Sequence, residues 1–217
     1  MKIKKIEIAL IAGMIITVLT GSMLDFGRAC DDIRNNVYRL HILANSDGAN
    51  DQELKLAVRD RILRDTSEFF RSAKNYQDAE KNASETLDII ESVAADEIAK
   101  QGFEYDVSAE HVQMYFTTRT YEDITLPAGN YNAVQVTLGE GTGKNWWCVL
   151  YPPLCVPAAR KKTADKQNPR SKRSGKKIED VLSPPAAKLT RSNPRYEPRF
   201  AVIELYDWIK SGLKRRK

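Results

Sequence analysis

A chain of 217 residues holds one domain of ordinary size with appendages, and 42% hydrophobic residues exclude both a wholly disordered chain and a polytopic membrane protein. The net charge of +5 is an average over unlike parts: nine Lys and Arg between Arg160 and Lys177 face a single acid, Asp165, and five more follow from Lys210 to the end. The positive charge therefore belongs to tails and says nothing about the fold.

Lys2, Lys4 and Lys5 precede an apolar run from Ile6 to Leu24. A basic head before an apolar stretch is an export signal, and this length falls on the border between a cleaved signal peptide and a membrane anchor. Residues 1–29 are read as one or the other. Thr20-Gly21-Ser22 and Gly27-Arg28-Ala29 both offer small residues for cleavage. The basic head places the body outside the cytoplasm.

A core domain is expected over residues 36–157. Val37 to Ala44 reads as a strand with Tyr38, Leu40 and Ile42 on one face and Arg39, His41 and Leu43 on the other. Asn45-Ser46-Asp47-Gly48 is turn chemistry, and Asn50 with Glu53 reads as a capping box opening a helix to about Phe70. A second helix is expected from Tyr76 to Gln101, with Gly102 beyond its end. Then the period changes to two, through Tyr105–Phe116, Thr118–Thr125 and Tyr131–Leu138, and a glycine loop leads to a last strand at Trp146. The expected fold class is α+β: one strand, two helices, then an antiparallel meander of three or four strands, with the helices on one sheet face. Residues 158–195 read as a basic disordered linker, and 196–214 as a C-terminal amphipathic helix.

The densest stretch is Asn145 to Cys155, which holds two of the three Trp, two of the three Cys and a Pro-Pro step. Its ordinary reading is a core strand ended by a rigid turn. Cys148 and Cys155 either pair as a disulfide, which would contribute about 2–3 kcal/mol, or stay buried thiols. A third reading makes Cys148 a nucleophile with His41 or His111 as its base and Asn45 orienting it, in an exported thiol-dependent wall or peptide hydrolase best represented by the pairing with His41. Dinucleotide binding fails because the glycine loop leads to Trp-Trp instead of a helix. The case for zinc is weak because the two His lie far apart and the Cys spacing is too long, so no metal or cofactor is expected. On an exported body the basic run reads as solvated charge or attraction to an anionic membrane surface, and nucleic acid is not an expected partner.

Four segments together resemble the stage II sporulation protein R family. They are Arg39-Leu40-His41-Ile42-Leu43-Ala44-Asn45-Ser46-Asp47, then Asp51 to Asp60, then Thr118-Arg119-Thr120-Tyr121 with Leu126-Pro127-Ala128-Gly129, and finally Asn145 to Cys155. Thr117 stands where a Pro would be expected, and the long basic stretch is untypical. The resemblance implies a signalling protein without catalysis or small-molecule substrate. It is exported into the space between forespore and mother-cell membranes. There it triggers the membrane-embedded aspartic protease called stage II protein GA, which processes the precursor of sigma factor E. The face carrying Arg39, His41, Asn45 and Asp47, with Arg119, Trp146 and Trp147, is the expected contact with that partner, because polar residues and paired aromatics converge there.

Overall fold

The computed structural model describes residues 5–121, 123–155 and 176–191. A long helix, α1 (Lys5–Asn36), leads directly into strand β1 (Tyr38–Leu43). Then come α2 (Ala49–Asp65), α3 (Ser67–Ser72), α4 (Tyr76–Glu85) and α5 (Leu87–Lys100). The strands β2 (Val107–Phe116), β3 (Arg119–Tyr121), β4 (Ile124–Leu126), β5 (Gly129–Leu138) and β6 (Asn145–Tyr151) complete the core. Two short helices follow, α6 (Ile178–Val181) and α7 (Pro184–Thr190).

The class is α+β as expected, but the sheet is mixed. Its order is β2-β5-β1-β6, with β1 parallel to β5 and antiparallel to β6. The expected meander is therefore corrected: β1 inserts between β5 and β6 and forms the sheet's centre. The reason is burial, because β1 carries large side chains on both faces and all of Tyr38 to Ile42 is inaccessible or nearly so. The stretch from Thr118 to Thr125 is not a fourth meander strand. It belongs to a separate two-stranded ribbon, β3–β4.

Each of the two expected helices is broken once. The hydroxyl of Thr66 donates to the Ile62 carbonyl at 2.8 Å, and that of Thr86 to the Asn82 carbonyl at 2.7 Å, at the junctions of α2 with α3 and of α4 with α5. These side chains bond backbone within their own helix, which bends the chain without interrupting its apolar period. The α2 helix starts two residues early, with Gly48 as N-cap, so Asn50 and Glu53 form no capping box. Gly102, at φ +82, follows α5 as expected and lets the Phe103 N–H reach the Ile98 carbonyl at 3.1 Å.

The sheet has a core on each face. On the first, Tyr38, Leu40 and Ile42 pack with Leu54, Ile62 and Ile90 from the helical layer. On the second, Phe116, Tyr131 and Val149 pack with Phe26 and Ile33 of α1 and with Leu126, Ile178 and Leu189. The second core thus recruits α6 and α7 from a region whose composition reads as linker. That expectation is corrected for residues 176–191, where Ala186 and Ala187 bury a surface that few large apolar residues announce. The remainder of the expected linker and the helix at 196–214 lie outside the described residues.

The α1 helix has two halves. From Ile6 to Leu24 its apolar side chains are exposed, and an 18-residue window has mean hydropathy 2.0 with none of it buried. At 1.5 Å per residue this run is about 28 Å long, enough to cross a bilayer's hydrocarbon core. From Phe26 to Ile33 the same helix is part of the second core. Arg34 fixes its end by donating through Nε to the Ala128 carbonyl at 3.0 Å. Gly129, at φ +147, permits this, since a Cβ there would overlap the Arg34 guanidinium.

Candidate functional site

Strand alternation decides which expected site residues meet. On β1, Arg39 and His41 face away from α2 and α5; on β6, Asn145, Trp147 and Val149 share that face, whereas Trp146 and Cys148 point to the helices. Arg39, His41 and Trp147 therefore converge, and Arg119 joins them from β3. Trp146 does not.

His41 and Trp147 are directly opposed and stack, with ring centroids 4.2 Å apart and planes at 15°. Phe116 meets the Trp147 ring edge-on at 4.8 Å, and the exposed Arg119 guanidinium lies 5.6 Å over the same indole. His41 contacts Gln135 through Nδ1 at 3.2 Å and Asn145 through Nε2 at 3.0 Å. Burial lowers its pKa, the two side-chain hydrogen bonds opposing this, so the ring is neutral at physiological pH. A neutral imidazole carries one N–H, so one of the two amides must turn its NH2 to the ring. Because Gln135 already donates its NH2 to Glu110 at 3.3 Å, Asn145 is the one that turns.

The depressed pKa gives a signed prediction. His41 contributes its full stability above about pH 6.5, and the contribution declines below that, because the unfolded chain takes up the proton first. Urea unfolding should show a lower midpoint at about pH 5.5 than at about pH 7.5, and His41→Gln should flatten that difference.

Arg39 is completely buried. Its guanidinium lies 4.0 Å from the Phe116 ring centroid, 5.0 Å from Tyr131 and 5.7 Å from Tyr121, and Nη2 donates to the Tyr121 hydroxyl. Among the described residues, Nε and Nη1 have no hydrogen-bond partner. A buried cation held by rings, with no carboxylate on it among the described residues, is costly and uncommon. Burial also lowers its pKa. Sequence reasoning had no means of finding the cage: alternation puts Phe116 and Tyr131 on some sheet face, but only the non-local pairing puts them on that of Arg39.

Asn45 and Asp47 serve the loop instead. Asn45 donates to Asp51 at 2.9 Å and accepts from the Glu140 N–H at 3.0 Å, while Asp47 accepts from the Lys144 N–H at 2.7 Å. Ser46, Asn45 and Tyr105 all donate to Asp51, whose pKa is lowered first by the Ser46 hydroxyl. These bonds clasp the glycine loop onto the end of β1. On the helical face, Trp146 lies under Arg59, whose guanidinium is 4.3 Å from the ring.

Cys148 is bonded to Cys155, so the paired reading of the two thiols is the one the structure takes. The proposed Cys148–His41 dyad is not assembled, because their side chains occupy opposite faces of the sheet. Cys30 is the one free cysteine among the described residues; it is buried, and burial pushes its thiol up to about 12. Native protein should therefore resist maleimide labelling, take one label per chain in urea, and take three after reduction.

The family model for stage II sporulation protein R matches residues 34–161. This chain belongs to the stage II sporulation protein R family. It is 34% identical over 185 residues to the stage II sporulation protein R of Bacillus subtilis (strain 168), covering 82% of this chain and 81% of that protein. No solved structure matches it. Membership makes this a sporulation protein, and the apolar α1 with the Cys148–Cys155 disulfide fits an exported one. The family match takes in the last turn of α1 and all six strands, so the sheet, the Arg39 cage and the Trp147 stack lie inside it. The α6–α7 segment lies outside it.

Proposed function

We propose that this member of the family is an intercellular signal of endospore formation. It acts in the space between forespore and mother-cell membranes and activates the membrane aspartic protease that processes the sigma factor E precursor. The observation that carries the reading is the half-open sheet face on which Arg119, Trp147 and His41 are stacked beside the buried Arg39. Stacked aromatics under an exposed Arg are the composition of an interface centre, and they anchor binding without supplying a nucleophile. The α1 helix supports the same reading, because it joins the apolar run to this side of the sheet without a flexible joint, holding the face near a membrane-embedded partner.

The test is reconstituted processing in a non-sporulating host, with this protein, the protease and the sigma precursor co-expressed and the shortened precursor blotted. Conversion is expected only when all three are present. Arg119→Ala and Trp147→Ala should each lower it by about tenfold, the effect of losing one interface anchor. Normal conversion by both variants would remove this face as the contact.

A further inference from the structure

The molecule keeps a short length of sheet edge open, and its surroundings define what fits there. Among the described residues β6 is an outer strand, with β1 on one side and no strand on the other. The Val149 N–H points away from β1, to the Cys155 sulfur at 3.3 Å. By strand periodicity, the N–H and C=O groups of Asn145 and Trp147 point outward as well. The close His41–Trp147 stack agrees, since side chains approach most closely in pairs whose backbones do not bond each other. At Val149 the edge is closed by Cys155. Above it, nothing described takes the outward groups of Asn145 and Trp147.

Folded proteins usually guard such edges with Lys, Pro or a covering loop. Here the part that Cys155 leaves uncovered carries a Trp on each face, and each Trp has an Arg over it, Arg59 on Trp146 and Arg119 on Trp147. Lys55 donates to the Lys144 carbonyl at 2.8 Å, and Lys144 itself leads into the strand. Four cations of the described residues thus meet the edge, with Asp60 paired to Arg59 at 2.7 Å and Asp47 held on the Lys144 N–H.

We infer that the Asn145–Trp147 edge of β6 receives an extended, acidic segment of a partner protein as an added fifth strand. The backbone of that segment would pair with the outward groups of Asn145 and Trp147. Its alternate side chains would fall on the Trp147–Arg119 pair and on the Trp146–Arg59 pair, which selects acidic or apolar residues at those positions. The inference rests on the signalling reading only for who supplies the segment.

The test uses the full chain in lipid nanodiscs and a fluorescein-labelled eight-residue peptide of alternating Thr and Glu. A Thr-Lys peptide serves as the opposite-charge counterpart. Anisotropy should show the acidic peptide binding at least about tenfold tighter, and amide hydrogen exchange should slow at Asn145 and Trp147 on its addition. Asn145→Pro removes one outward N–H while leaving the β1 ladder intact, and should weaken binding by about tenfold. Arg59→Glu with Arg119→Glu should do the same without altering the backbone. Absence of binding, equal binding of the Thr-Lys peptide, or binding without slowed exchange would overturn the proposal. So would slowed exchange on raising the protein concentration alone, which would make a second copy the occupant. The processing assay separates this from the signalling reading. Peptide binding by a protein that never triggers conversion would sink the latter alone, and conversion untouched by Asn145→Pro would sink the former alone.

Discussion

A chain starting at Met23 should unfold in urea at the midpoint of the full-length body, whereas one starting at Cys30 should lose about 3 kcal/mol. The figure comes from the buried side chains the shorter chain lacks: roughly 2–3 kcal/mol for Phe26 and about 0.8 kcal/mol for Ala29, at 25 cal/mol per Å² of apolar surface. Cys30 and Ile33, both fully inaccessible, would remain, but in a first helical turn with no preceding residues to hold it. Against a total stability of about 5–15 kcal/mol such a loss is severe. The outcome decides between the two cleavage sites that composition offers. A cut after Ser22 releases an intact domain, and a cut after Ala29 releases a damaged one. Equal midpoints for the two truncated chains would mean that the end of α1 is only a handle on the domain.

What could be read in advance follows from how local each interaction is. Period two in Val37–Ala44 assigned Arg39 and His41 to a face apart from Tyr38, Leu40 and Ile42, and the two cores confirm that division. Sequence order suggested a meander because consecutive strands usually pair, and it could not reveal that β1 would seek the sheet's centre. The breaks at Thr66 and Thr86 were hidden because the apolar stripe continues past each of them. The α6–α7 segment was hidden differently: its core contacts come from Ala186, Ala187 and a few scattered larger residues in a charged stretch. One signal was available there. Ser183-Pro184-Pro185 is an N-cap followed by Pro at the first helical positions, which marks a helix start even in a polar region. At the site, the expectation put Trp146 and Trp147 on one contact face, although the same alternation already separates neighbouring residues of a strand and the structure places them on opposite faces. The loop duties of Asn45 and Asp47 were not legible, since Glu140 and Lys144 reach them across some ninety-five residues of sequence.

Replacing Arg39 by Met should raise stability by about 1–3 kcal/mol while lowering protease activation. The sign is set by competing magnitudes. A guanidinium taken wholly out of water costs several kcal/mol, and the two unpartnered groups Nε and Nη1 keep that cost from being offset. Against it stand the Tyr121 hydrogen bond and three ring contacts, the closest at 4.0 Å, each worth up to about 2 kcal/mol when desolvated and less at the longer distances. Met keeps the length and flexibility of the side chain and packs well against aromatic edges, so the cage should close on it without a void. Arg39→Ala would instead leave a cavity among Phe116, Tyr121 and Tyr131, and should destabilise by about 2–4 kcal/mol. Urea unfolding of the two variants therefore separates charge from volume. A fold does not keep an unpaired buried cation for its own stability; the simplest use for one beneath Tyr121 is to lend positive potential to the face where Arg119 and Trp147 stand. In the processing assay Arg39→Met should then act as a well-folded but weak signal. A variant that is more stable and fully active would show that Arg39 does nothing for the partner, and one that is less stable would show that the aromatic cage outweighs desolvation.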